Sequence, residues 1–89
     1  MTNSLVLLIV NNDGVMRILT TVELGRYVAT SRRDRGLTQS ELAEAIGTSR
    51  FWVIRAERGE PRIELGLVLR ALRFLEVTVQ LTASSVRAS

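Results

Sequence analysis

The residues best suited to chemistry lie in one short stretch of Arg and apolar residues. Arg50, Ile54 and Arg58 recur every fourth residue, so on a helix they share one face. Phe51 and Arg55 flank that face. A guanidinium group donates two parallel hydrogen bonds, which suits a phosphate or the edge of a guanine, and an apolar neighbour can contact a thymine methyl group. The pattern predicts a surface that contacts nucleic acid.

Two predicted helices and a tight turn would position this surface. Thr38 and Glu41 have the spacing of a capping box, which marks the start of the first helix. Gly47 follows the last apolar residue of that helix, where a left-handed glycine commonly ends a helix. Ser49 is the candidate cap of a second helix over residues 50–58. In this helix-turn-helix geometry the second helix enters the major groove of DNA.

The composition of the chain limits the other functions. The chain has 89 residues, enough for one small domain, and its formal net charge is +3. It has no Cys and no His, which excludes disulfides, a Cys/His metal site and the usual nucleophile and base of an active site. The apolar run Leu5–Val10 is too short to span a membrane. We therefore expect a cytoplasmic protein that is not an enzyme and holds no cofactor.

Two sequence motifs carry a family resemblance. The stretch Gly36–Ala43 reads GLTQSELA, and Glu57–Gly59 has the form Glu-x-Gly. Both are typical of the lambda-repressor-like (Xre) regulators, which the chain resembles over most of its length. The resemblance implies a mainly α, four-helix domain that binds double-stranded DNA. It also implies that Gln39 hydrogen-bonds a phosphate and that Arg32 pairs with Glu57.

The helix-turn-helix mode assigns roles along the second helix of the motif. Arg50, near its start, is expected to contact a guanine, and Arg58, at its end, a phosphate. Arg55 suits either a base or a phosphate. Trp52 has two interpretations, as a core residue packed on a later helix or as a phosphate donor through its indole N–H. The predicted DNA-binding residues are Gln39, Arg50, Phe51, Ile54, Arg55 and Arg58.

Two further helices complete the predicted domain. Thr20 and Glu23 form a second capping-box pattern, so a helix should begin near Thr21 and end at Gly36. Another helix is predicted over residues 63–75. This last helix is apolar on most sides, so we expect more than one neighbour to cover it, including a second subunit.

A strand is predicted after the last helix. Val77, Val79 and Leu81 alternate with polar residues over residues 77–82. A helix followed by LEVTVQL resembles the HipB-like antitoxins of toxin–antitoxin modules. The resemblance implies a homodimer in which this strand pairs with its twin as an intersubunit two-stranded sheet. It further implies a palindromic operator and a HipA-like kinase toxin as partner. The alternative is an intrachain sheet with Leu5–Val10, and the alternative function is that of a stand-alone Xre-type regulator.

The two ends of the chain lie outside the motif. Leu5–Val10 and Val15–Leu19 are separated by a turn sequence, which favours a hairpin. The other interpretation is a disordered extension, with Met16 as the true start. The small and polar C-terminal residues predict a frayed tail. The expected divisions are an extension over 1–19, the helix-turn-helix domain over 20–76, the dimerisation strand over 77–82 and the tail over 83–89.

Overall fold

The computed structural model describes the backbone of residues 2–11 and 14–86, and the side chains of residues 8–10 and 14–77. The described part is mainly helical, with a small antiparallel sheet. None of its helices is long and apolar enough to cross a membrane. The elements in chain order are β1 (Thr2–Asn11), β2 (Gly14–Ile18), α1 (Thr21–Asp34), α2 (Gln39–Ile46), α3 (Arg50–Glu57), α4 (Leu65–Phe74) and β3 (Thr78–Val86).

The first two helices begin with the capping boxes that the sequence predicts. The Thr20 hydroxyl accepts a hydrogen bond from the Glu23 N–H, and the Glu23 carboxylate accepts from the N–H groups of Leu19 and Thr20. Thr38 and Glu41 repeat the arrangement at the start of α2. The hydrogen bond from the Leu19 N–H lowers the pKa of Glu23. Both predicted helix starts are confirmed.

The helix ends agree with the prediction at α2 and differ at α4. Gly47 ends α2 in the left-handed region, with a φ of +79°. Helix α4 is shorter than the predicted range at both ends, and no side chain caps its start. At its C-terminus Glu76 takes a left-handed φ of +59°, and the Val77 N–H donates to the Leu72 carbonyl oxygen. A glutamate therefore occupies the position that glycine usually takes in this kind of helix end.

The core lies between the four helices. Trp52 is 7% exposed and packs into it, so the core interpretation of this residue is confirmed. Helix α1 approaches α3 closely at Gly25, where an added Cβ atom would lie 2.5 Å from the Ala56 carbonyl oxygen. The buried core residues are Val28, Leu42, Ala43, Ile46, Trp52, Val53, Ala71, Leu72 and Leu75.

The sheet has the strand order β2-β1-β3, with both pairs antiparallel. The hairpin interpretation of the N-terminal segment is therefore confirmed, with Leu7 opposite Ile18 and Val10 opposite Val15. Ile9 and Ile18 are buried. Residues 12 and 13 of the predicted turn lie outside the described residues.

The predicted partner of the C-terminal strand is wrong. β3 pairs with β1 of the same chain in a three-stranded sheet, with Val79 opposite Ile9 and Leu81 opposite Leu7, so the intrachain alternative is confirmed and the sheet is not two-stranded. The alternation of apolar residues indicates which residues share a face of the strand, but it does not determine which edge the strand joins. β1 offers a ten-residue edge in the same chain, so pairing with it does not require association with a second molecule.

The C-terminal strand is also longer than predicted. Residues 83–86, assigned to the tail, continue β3 up to the pairing of Thr2 with Val86. Small and polar residues can extend a strand in this way because the ladder is built from backbone groups, which every non-proline residue carries. Residues 87–89 of the predicted tail lie outside the described part.

Helix α4 keeps an apolar face open to solvent. Leu65 and Leu69, four residues apart on this face, are 68% and 46% exposed, and Phe74, on another side of the helix, is 43% exposed. Apolar surface on α4 is therefore still uncovered, and a further neighbour of this helix stays a prediction.

Candidate functional site

An ion pair joins α1 to the end of α3. Arg32 Nε donates to Glu57 Oε2 over 2.7 Å, and Arg32 Nη2 donates to Glu57 Oε1 over 3.0 Å. The two side chains are only 10% and 7% exposed. A third nitrogen, Arg32 Nη1, donates to the Leu37 carbonyl oxygen. The predicted pair is confirmed, and its hydrogen bonds raise the pKa of Arg32, so the charge persists at any ordinary pH.

Gln39 belongs to the same network. Its Nε2 donates to Glu57 Oε1 over 3.1 Å, which fixes the side chain at the start of α2. An amide nitrogen carries two hydrogens, so one remains for a ligand. The phosphate contact expected of Gln39 stays a prediction, and its geometry is compatible with the internal hydrogen bond.

A positively charged depression lies between α1 and α3. Its volume is about 590 Å³. Four arginines line it against one acidic residue, Glu57, whose charge is already matched by Arg32. The depression is therefore suited to an anion. Its lining residues are Arg26, Ala29, Thr30, Arg33, Gln39, Arg50, Ile54, Glu57 and Arg58.

Four of the six predicted DNA-binding residues line this depression: Gln39, Arg50, Ile54 and Arg58. Arg50 and Arg58 are exposed, and neither forms an ion pair with any described residue. Their guanidinium groups are thus available to a ligand without the loss of an internal ion pair.

The other two predicted residues, Phe51 and Arg55, lie beside the depression on α3. Phe51 is 67% exposed, and the Arg55 guanidinium carbon lies 5.8 Å from the centre of its ring. That distance is within the range of a cation–π contact. Arg55 also donates to Glu60 over 3.3 Å and to the Arg62 carbonyl oxygen over 3.4 Å. Of the two, Phe51 is the more accessible to a ligand, because Arg55 is partly engaged inside the chain.

Helix α1 contributes three polar lining residues that the sequence analysis missed. Arg26, Thr30 and Arg33 are separated by four and three positions, so they share one helical face. That spacing was a readable signal. The predicted contacts instead all lie in the helix-turn-helix stretch. The depression is built as much from α1 as from α3.

Comparisons with known proteins identify the fold. Residues 23–84 match a family model described as a helix-turn-helix domain. The chain is 31% identical over 71 residues, which is 80% of this chain and 93% of the relative, to the "Uncharacterized HTH-type transcriptional regulator y4mF" of Sinorhizobium fredii (strain NBRC 101917 / NGR234). It is also similar to a solved structure titled "MDT Protein", with a TM-score of 0.63 and 26% identity, covering 83% of this chain and 99% of that one.

Proposed function

We propose, because the chain belongs to the helix-turn-helix domain family, that it is a sequence-specific DNA-binding repressor of transcription. The observation that carries this proposal is the depression between α1 and α3, with its four arginines and its single, already paired, carboxylate. A surface of this charge releases counterions when it meets a phosphate backbone, and that release favours binding.

In the proposed complex α3 enters the major groove. Arg50 lies at the N-terminal end of α3, the part that reaches base edges in this mode, and it donates to a guanine. Phe51 and Ile54 contact thymine methyl groups, and Arg55 contacts a base or a phosphate. Arg58 and Gln39 hold phosphates on one side of the depression. Helix α1 supplies Arg26 and Arg33 for the phosphates on the other side.

Genomic fragments retained by the protein would test the proposal directly. The full chain, immobilised at low salt and washed with rising salt, should retain one motif, and sequencing of the retained DNA should show a palindrome. The affinity should fall steeply with salt, because each phosphate contact releases a counterion. The absence of any enriched motif would favour a different class of function, a protein-interaction module with this fold.

A palindromic operator requires a two-fold protein, so we also propose a homodimer. β3 is hydrogen-bonded to β1 on one side only within the described sheet, so its outer edge carries unpaired backbone groups. Pairing of β3 with a second copy would satisfy them and bring the backbone of Val79 and Leu81 to the interface. Val77, also expected at the interface, instead packs against the core. The exposed face of α4 would be covered in the same contact, with the two α3 helices ~34 Å apart.

Mass measurement by light scattering tests the dimer. The full chain should have twice the mass of one chain at micromolar concentration, and Leu69→Glu should dissociate it because a charge would then lie in an apolar contact. Leu19→Glu is the matched control, since Leu19 is an exposed apolar residue outside α4. A monomeric full chain would contradict the dimer, and equal loss of mass in both variants would exclude α4 from the interface.

The finer role that we propose is that of a HipB-like antitoxin, which represses its own operon and holds a HipA-like kinase inactive. The support is the resemblance of the α4–β3 segment, which reads LEVTVQL, to those antitoxins. Growth arrest caused by a HipA-like kinase encoded next to this gene should be relieved when this chain is co-expressed. If no such neighbouring gene exists, or arrest persists, the stand-alone Xre-type regulator is the better account.

A further inference from the structure

The C-terminal end of α3 places Glu60 next to Arg55. The Gly59 N–H donates to the Ala56 carbonyl oxygen over 3.0 Å, and the Glu60 N–H donates to the carbonyl oxygen of Arg55 over 3.2 Å. These are the hydrogen bonds of a helix that ends at a left-handed glycine. Gly59 has a φ of +83°, and an added Cβ atom would lie 2.5 Å from the Val22 Cα atom. Only glycine fits there, so the turn fixes the place of Glu60.

Two acceptors in this turn hold the guanidinium group of Arg55. The Glu60 carboxylate accepts from Nε, and the Arg62 carbonyl oxygen accepts from Nη2. These two nitrogens form one edge of the planar group, so the two bonds together fix its plane. The guanidinium carbon lies 5.8 Å from the centre of the Phe51 ring, within the range of a cation–π contact. Phe51 thus packs against a tethered cation, although 67% of its surface is open to solvent.

We propose that Arg55 and Glu60 are positioning residues, which hold the Phe51 ring against the methyl group of a thymine in the major groove. The inference rests on the proposed DNA-binding function. Phe51 is the second residue of α3, in the part of the helix that reaches base edges. A side chain that is already held loses less conformational freedom on binding than a free one. Arg55 and Glu60 thus act through Phe51, and the nitrogen Nη1 of Arg55 remains for a phosphate.

Uracil in place of thymine makes the proposal measurable, because it removes one methyl group and leaves base pairing and charge unchanged. The probe is the DNA motif that the full chain retains, with each thymine replaced by uracil in turn. Fluorescence anisotropy at fixed salt measures the affinities. Replacement of the thymine at Phe51 should weaken binding roughly 4-fold, the effect of burying one methyl group. Phe51→Ala should bind thymine and uracil equally at that position.

Two variants and a control test the positioning role. Arg55→Lys keeps the charge but loses the planar fork, and Glu60→Ala removes one of its acceptors. Each should reduce the preference for thymine over uracil at the position of Phe51, whereas Glu64→Ala should keep it. Glu64 carries the same charge as Glu60, but it is exposed and forms no ion pair with a described residue. Because the two DNAs have the same charge, general effects of charge or partial unfolding cancel in the ratio of their affinities.

Three results would overturn the proposal. The first is a wild-type chain that binds uracil as tightly as thymine at every position. The second is an unchanged preference in Arg55→Lys or Glu60→Ala, because Phe51 would then need no support from that residue. The third is an equal reduction of the preference in Glu64→Ala. In all three cases a DNA motif is still retained, so the proposed repressor function stands, whereas a chain that retained no motif would overturn both proposals.

Discussion

Helix α3 has two sides with opposite properties. The side towards α1 is closely fixed, by the buried pair of Arg32 with Glu57 and by a backbone approach that leaves no room for a Cβ atom at Gly25. The side towards solvent carries Arg50 and Arg58, which are exposed and form no ion pair with described residues. One side holds the fold together and the other is left for a ligand. Substitutions on the side towards α1 should therefore change stability, whereas substitutions on the side towards solvent should change DNA affinity.

The largest effect is expected at the buried ion pair. Glu57→Ala and Arg32→Ala should each lower the free energy of unfolding by about 3–5 kcal/mol, because each leaves a buried charge unpaired. Urea denaturation measures the change. Glu60→Ala is the control, since its pair with Arg55 is partly exposed and should contribute about 0–1 kcal/mol. The double variant should lose less than the sum of the two single losses, and strict additivity would show that the pair does not interact.

The close backbone approach should give the next largest effect. Gly25→Ala places a Cβ atom 2.5 Å from one carbonyl oxygen and 2.7 Å from another, so the helices must separate. We expect a loss of about 1–3 kcal/mol in the free energy of unfolding. Gly66→Ala is the matched control, because no atom lies within 4 Å of its added Cβ, and it should stabilise α4 by about 0.5–1 kcal/mol. If both variants changed the free energy of unfolding in the same direction, the close approach at Gly25 would be contradicted.

The solvent side of α3 should show the reverse behaviour. Arg50→Ala should weaken operator binding by about 1–3 kcal/mol and relax the preference at one base pair, whereas Arg58→Ala should weaken all sequences alike. Neither should alter the melting temperature. Fluorescence anisotropy at fixed salt measures the affinities. Arg17→Ala, which removes the same charge from an exposed position on β2 outside the depression and outside α4, is the control. Equal losses of DNA affinity in all three variants would show that binding depends on net charge and not on a defined site.

The smallest effect is expected at the end of α4, away from both sides of α3. Glu76 holds a left-handed φ of +59°, which costs an L side chain about 1 kcal/mol. Its ion pair with Arg35 is 3.4 Å long and exposed, so it offsets little of this cost. Glu76→Gly should therefore raise the melting temperature and leave DNA affinity unchanged. A lower melting temperature would show that the ion pair contributes more than the strain costs.

The features that the sequence predicted correctly are mostly local. The capping boxes at Thr20 and Thr38 and the glycine at position 47 act within one helical turn, so neighbouring residues carry the whole signal. The pair of Arg32 with Glu57 is not local, and it was predicted from a family resemblance. The partner of β3 was left open between its twin and β1, because strand alternation contains no information about which edge is free. Arg26, Thr30 and Arg33 of the candidate site were missed although their helical spacing was visible, because the predicted contacts were all placed in the helix-turn-helix stretch.

The order of the sheet has a consequence for the newly made chain. β1 and β3 lie on either side of the four helices in the sequence, yet they pair along nine residues. During synthesis β1 and β2 leave the ribosome before the helices, and one edge of β1 stays unpaired until β3 has emerged. The helices contact one another over short sequence separations and can fold meanwhile. Closure of the sheet is thus delayed until β3 has emerged, and until then an open strand edge can meet neighbouring chains.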